Sequence, residues 1–154
     1  MEREENNINK DNSIPSQNTS VSEETTKNSS NRIMLVDDDT DILLTIKKIL
    51  EYDGFQVETF SNPLEALSDF KSELYDLVLI DIKMPEMSGF EFYRELQKKI
   101  DYGSKIKICF ITAFEIYFET LKKEFPELYS GCFINKPVKA EDLLNKIKEE
   151  LMGN

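Results

Sequence analysis

Asp76-Leu-Val-Leu-Ile-Asp81 is the stretch on which the fold of this 154-residue chain turns. Four consecutive aliphatic residues, without the apolar–polar alternation of a half-solvated strand, read as a strand buried on both faces. The run stops at Asp81, and a loop, Ile82-Lys-Met-Pro-Glu-Met-Ser-Gly89, leads into a helical pattern with Phe90, Tyr93 and Leu96 inward. Upstream, Arg32-Ile-Met-Leu-Val36 is a similar run that ends in Asp37-Asp38-Asp39. Asp39 is placed to cap the helix that Ile42, Leu43, Ile46, Ile49 and Leu50 predict over Thr40–Tyr52. Phe55–Phe60 predicts a strand, and Pro63 opens a helix with Leu64, Leu67 and Phe70 inward. Downstream, Ile106–Ile111 and Gly131–Ile134 predict two more strands. A helix over Glu115–Phe125, stopped by Pro126, lies between them, and another over Ala140–Leu151 follows the turn Asn135-Lys136-Pro137.

Five apolar strands alternating with helices indicate an α/β fold with a parallel sheet covered on both faces. Right-handed crossovers leave few arrangements, and the doubly wound, flavodoxin-like order 2-1-3-4-5 suits five strands. Ligands of such sheets bind beyond the carboxyl ends of the strands, so the residues there decide the chemistry.

Composition narrows the classes. The net charge of −11, from 30 acidic and 19 basic residues, argues against a nucleic-acid footprint. The chain has no histidine, which removes histidine bases, histidine metal ligands and a phosphohistidine formed on this chain. Cys109 and Cys132 are too few for a disulfide framework or a zinc site and read as two buried, reduced thiols. The start, Met1-Glu-Arg-Glu-Glu-Asn6, is acidic and polar, unlike a signal peptide. The longest nearly apolar stretch, Ile106–Phe114, includes Lys107 and falls short of the ~18 residues a membrane helix needs. These features predict a cytoplasmic protein with no membrane insertion. Residues 1–31, rich in Asn, Ser, Thr and Glu with few aliphatic side chains, predict a disordered polar tail ahead of a folded body over 32–152.

At the predicted strand ends stand Asp37 and Asp38, Asp81, Thr112 and Lys136. Singly, each has an ordinary explanation: an acidic helix start, a solvated carboxylate, a turn lysine. Jointly, each falls at the terminus of its own strand. Clustered carboxylates hold a hard divalent cation, and two or three of them suit Mg2+ with several waters better than Ca2+. A carboxylate can also attack phosphorus to give an aspartyl phosphate, with a lysine and a hydroxyl answering the phosphoryl oxygens.

Met34-Leu-Val-Asp-Asp-Asp39, Asp76–Gly89, Ile111-Thr-Ala113 and Phe133-Ile-Asn-Lys-Pro137 resemble the receiver domain of two-component response regulators, over about residues 32–152. That resemblance implies Asp81 as phospho-acceptor and Asp38 as direct metal ligand, with Asp37 acting largely through water. It implies a further ligand in the backbone carbonyl of Lys83, with Mg2+ as the cofactor. Lys136 would be the ion-pairing lysine, Thr112 the switch hydroxyl, Phe133 the switch aromatic and Pro137 the cis-proline. Phe133 departs from the commoner Tyr, so packing alone must report the switch. Phe114, beside the acceptor, is bulky enough to shield an acyl phosphate from water.

The implied function is a single-domain response regulator, not an enzyme in its own right. A sensor histidine kinase or a histidine phosphotransfer protein would supply the phosphoryl group. The readout surface would be residues 115–151, with Tyr117, Phe118 and Leu121 as anchors or as core packing. It would bind an unidentified downstream protein, pass the group onward, or form a homodimer. Two rival readings are a phosphate-independent scaffold or dimerisation module and a Mg2+-dependent phosphohydrolase. The second expects a general acid two residues beyond the nucleophile, where this chain has Lys83.

Overall fold

A computed structural model of the chain describes residues 30–113, 117–128 and 131–153, with the side chains of residues 117, 118 and 120 left aside. Its strands are β1 (Arg32–Val36), β2 (Gln56–Phe60), β3 (Leu77–Asp81), β4 (Lys107–Thr112) and β5 (Cys132–Asn135). The helices are α1 (Thr40–Tyr52), α2 (Pro63–Asp69), α3 (Gly89–Gln97), α4 (Tyr117–Glu124) and α5 (Ala140–Met152), with a 3-10 turn over Pro126–Leu128. All pairings are parallel and the order is β2-β1-β3-β4-β5, as the alternation of elements predicts.

Every residue of β3 is buried, because helices cover both faces of the sheet. Alternate side chains divide between two cores. Ile33, Leu35, Leu77, Leu79 and Ile111 pack with Leu43, Ile46 and Leu50 of α1 and with Leu143 and Ile147 of α5. Met34, Val36, Val78, Ile80 and Phe110 pack with α2, α3 and α4 through Ala66, Leu67, Phe90, Phe92, Leu96 and Leu121.

Local signals set the helix starts. The Asp39 carboxylate accepts from the amides of Asp41 and Ile42 at 2.9 and 3.2 Å, as its place before α1 predicts. Asn62 caps α2 ahead of Pro63, and Ser88 with Glu91 forms a reciprocal capping box at α3. After α1 the chain reverses through Gly54 at φ +99°, a conformation that suits glycine.

Several inward assignments change. Leu64 is exposed, and Pro63, Ala66 and Leu67 form the buried side of the seven-residue α2. On α3, Phe92 is fully buried whereas Tyr93 is half-buried, since the helix inserts a broad aromatic face rather than a narrow stripe. Leu121 is core, not a surface anchor, and the side chains of Tyr117 and Phe118 lie outside the described residues. Residues 1–29 of the expected tail also lie outside them. The carbonyl of Asn31, just ahead of β1, accepts the Gln56 amide at 3.0 Å.

The two cysteines are not separate thiols. Cys109 and Cys132 are register partners on β4 and β5, their Cα atoms 4.6 Å apart, and their sulfurs form a disulfide. Residues 23 apart in sequence became neighbours through the β4–α4–β5 crossover, a pairing that single-strand patterns do not reveal.

Candidate functional site

Because β1 and β3 are neighbours, the carboxylates that end them meet. Val36 pairs with Ile80, which brings Asp37 and Asp81 side by side at the carboxyl edge of the sheet. Asp37 is fully buried, Asp81 is 4 % exposed, and Asp38 turns outward to solvent. One oxygen from each of Asp37, Asp38 and Asp81 lies within 4.8 Å of the other two.

Lys136 follows β5 and points into this acidic corner. Its ammonium donates to Asp37 Oδ2 at 3.0 Å and pairs with Asp81 Oδ1 at 3.1 Å. The other Asp37 oxygen accepts the Asp39 amide at 2.9 Å, so the third aspartate of the triplet fixes the first while capping α1. Thr112 ends β4 and is buried, and its carbonyl accepts the Lys136 amide at 2.7 Å. Lys83 and Ala113 complete a cleft of about 190 Å³ around these groups. The peptide between Lys136 and Pro137 is cis.

Electrostatics follow from two buried carboxylates sharing one cation. Burial raises the Asp81 pKa from 3.8 to about 6; the negative charge of Asp37 adds to the rise and Lys136 opposes it. Asp37 is also raised by burial, against the Asp39 amide and Lys136, which lower it. Burial disfavours the Lys136 ammonium, but its bond to Asp37 and the charges of Asp37 and Asp81 outweigh that, so its pKa rises. With Asp38 beside them, three carboxylates face one ammonium, a formal excess of two negative charges that a divalent ion would correct.

The donor set fits Mg2+. All three donors are hard carboxylate oxygens, and opposite ligands of an octahedral ion at about 2.1 Å from its centre stand roughly 4.2 Å apart. One oxygen each of Asp37, Asp38 and Asp81 lies within 4.8 Å of the others, a separation close to that span.

On the α3 side of the cleft, Gly89 allows the helix to reach the strand end. Its amide donates to Ile82 O at 2.8 Å, and a Cβ there would meet the Asp81 carbonyl oxygen and lie 2.8 Å from Ile82 Cα. Sequence reading passed over this glycine as loop; its signal was its place immediately after the Ser88 cap. Phe133, one residue into β5, stacks on Phe110 with ring centroids 5.6 Å apart and planes inclined at 21°. The Phe110 ring also meets Phe90 and Tyr93, so Phe133 adjoins an aromatic cluster running to Phe125. Phe114 lies outside the described residues.

The fold is a five-stranded parallel sheet of an α/β protein, with a buried aspartate, an acidic pair and a lysine brought together at its carboxyl edge. The family model of the response regulator receiver domain matches residues 33–148, and the chain belongs to that family. It is 33 % identical over 122 residues to the response regulator receiver protein CpdR of Brucella abortus, covering 79 % of this chain and 98 % of that protein. Other relatives are longer: the match to the CpxR homolog of Haemophilus influenzae, 39 % identical over 82 residues, covers 53 % of this chain and 34 % of that protein. Among solved structures, the non-phosphorylated HemR receiver domain of Leptospira biflexa superposes with a TM-score of 0.69 at 29 % identity, over 81 % of this chain and 97 % of that one. Thermotoga maritima TrrA, solved in complex with Mg2+–BeF, gives 0.65 at 32 % identity, over 78 % and 98 %. Receiver domains are phosphoryl-accepting switches that bind Mg2+ at an acidic pocket, and sensor histidine kinases or phosphotransfer proteins phosphorylate them. Among the described residues no helix is long and apolar enough to cross a membrane.

Proposed function

We propose that this chain is a phosphorylation-switched signalling module in which Asp81 accepts a phosphoryl group from an external phosphohistidine. An Asp81 oxygen bonds to phosphorus as the P–N bond to the donor imidazole breaks. The imidazole nitrogen keeps the bonding pair and is protonated from water. Asp37, Asp38, one Asp81 oxygen and the Lys83 backbone carbonyl are the residues that would hold Mg2+. When bound, that ion neutralises charge on the transferring phosphoryl oxygens.

The chain's own side chains do the rest. Lys136 exchanges its Asp81 partner for a phosphoryl oxygen and supplies a compact positive charge. The Thr112 hydroxyl donates to a second phosphoryl oxygen, and the strand-end movement passes to Phe133 and the 115–151 surface. In thermodynamic terms the phosphoryl group biases an equilibrium between two arrangements of that surface. A cytoplasmic module of this kind acts by binding a downstream protein, by relaying the group or by self-association through the same face.

One observation carries the reading: Lys136, from the far side of the sheet, ion-pairs with both Asp37 and Asp81 at 3.0 and 3.1 Å. The test is acetyl phosphate with Mg2+, followed by intact-mass measurement. One phosphoryl group is expected on the parent, with none on Asp81→Asn and none in excess chelator. Label persisting in Asp81→Asn would overturn the acceptor assignment. No label on the parent would favour a phosphate-independent scaffold, and multiple turnover of generic phosphate esters would favour a phosphohydrolase.

A further inference from the structure

The disulfide lies in the same two strands as the proposed switch, in the adjacent register. Cys109 pairs with Cys132, Phe110 with Phe133 and Thr112 with Asn135. The Cys109 and Cys132 side chains face the α1/α5 core, and the Phe110–Phe133 stack occupies the opposite face of the sheet. A covalent link at Cys132 therefore sits one residue before Phe133 and four before Lys136. Among the described residues β5 is the edge strand and pairs only with β4, so its freedom to shift is set by that ladder and by α5 above it.

We infer that Cys109 and Cys132 form a reversible dithiol–disulfide couple that clamps β5 to β4 and thereby controls how freely the Phe133–Lys136 strand end can move. With the bond closed, β5 cannot slide along β4, whereas the open pair leaves only the ladder and the packing of α5 to resist. The functional consequence, though not the couple itself, rests on the proposed role of Thr112, Phe133 and Lys136. Hydrogen peroxide suits the oxidising half-reaction, being small enough for a site where Cys109 is 0 % and Cys132 4 % exposed. One thiolate attacks peroxide and breaks its O–O bond, leaving a sulfenic acid and hydroxide. The second sulfur then displaces the sulfenic oxygen as water and closes the S–S bond. In all, two electrons pass from sulfur to oxygen, and the two thiol protons end in two waters. A dithiol reductant reverses this by two exchange steps and leaves as its own disulfide. Leu143 and Ile147 of α5 cover the pair, so exchange waits on local opening of α5 and is slow in the native protein.

The full chain, fully reduced by a dithiol and then treated with peroxide, tests this. Mass measurement after alkylation in denaturant is expected to count two free thiols before peroxide and none after, and two again on renewed reduction. The amide of Lys136, which donates to Thr112 O at 2.7 Å, is expected to exchange hydrogen at least tenfold more slowly in the oxidised form. Closing the loop is also expected to raise the thermal midpoint by roughly 10 °C. The double variant Cys109→Ala, Cys132→Ala should exchange like the reduced parent and ignore peroxide. Thiols that stay free under peroxide would overturn the couple. A closed disulfide with unchanged Lys136 exchange would overturn the clamp. Loss of acetyl phosphate labelling in both redox forms would count against the Asp81 reading alone, since neither thiol counting nor amide exchange depends on it.

Discussion

Consider urea unfolding in chelator at pH 5 and pH 7, for the parent and for Asp81→Asn. Folding raises the Asp81 pKa from 3.8 to about 6, chiefly by burial, so the folded state holds this proton more tightly than the unfolded chain. The sign follows from linkage: between those two values the native state binds more protons, so stability falls as pH rises through that window. A separation of about two pH units is worth ~3 kcal/mol in full, and ~1.3 kcal/mol of it falls between pH 5 and pH 7. At 4 % exposure Asp81 warrants little discount for solvent screening. Other groups titrate too, so the difference between parent and variant is the quantity to read. Asp81→Asn is expected to gain on the parent by ~1 kcal/mol as pH goes from 5 to 7 and to be the more stable protein at pH 7. Adding Mg2+ at pH 7 should restore the parent, by ~2.7 kcal/mol at a hundred times its dissociation constant, and should do less at pH 5 where protons compete. Parallel pH curves for the two proteins would refute the argument that burial beside Asp37 destabilises the ionised acceptor.

The remaining expectations concern the scaffold around the site. Gly89→Ala should cost about 1–3 kcal/mol in urea unfolding and slow labelling by acetyl phosphate, because a Cβ there displaces the strand end that carries Asp81; wild-type stability would show that α3 has room to move. Asp39→Ala should lose about 1 kcal/mol from the α1 cap yet keep its labelling rate, since Asp37 is held by the backbone amide of residue 39 rather than by its side chain. Phe92→Ala should cost about 3–5 kcal/mol, while Leu64→Ala stays within about 0.5 kcal/mol, and a reversal of that order would undo the burial assignments of α2 and α3.

Much of the fold was legible because its strands are buried on both faces. Asp76–Asp81 and Arg32–Asp37 announce themselves as aliphatic runs cut off by carboxylates, and those terminal residues are the ones the sheet brings together. Asp39 was readable as a cap because capping is local chemistry. Leu64 was not readable, because α2 lasts only seven residues and Phe70 closes it from an extended C-cap, so helical spacing could not fix which side faced in. Phe92 and Tyr93 follow Phe90 at two and three residues, and only the packing of α3 between its neighbours ranks them. The cysteine pairing needs the β4–β5 register, which a crossover sets and no single strand encodes.

Lys136 shows where pattern reading stops and three-dimensional geometry takes over. In the observed order β5 is two strands from β3 and three from β1, roughly 10 and 14 Å at ordinary spacing. A lysine rising straight from β5 would not span those distances, so strand assignment alone leaves its contact with Asp37 and Asp81 unexplained. The Lys136 amide donates to the Thr112 carbonyl at 2.7 Å, continuing the β4–β5 ladder past the Thr112–Asn135 pair, so the side chain sets out from the end of that ladder and reaches the two carboxylates from there. Thr112 thus supports the cation through its backbone while its side chain stands at the same edge. A shift at the end of β4 consequently moves the lysine with the hydroxyl, which couples the charge of the pocket to the position of β5 without any contact between Asp81 and the surface beyond.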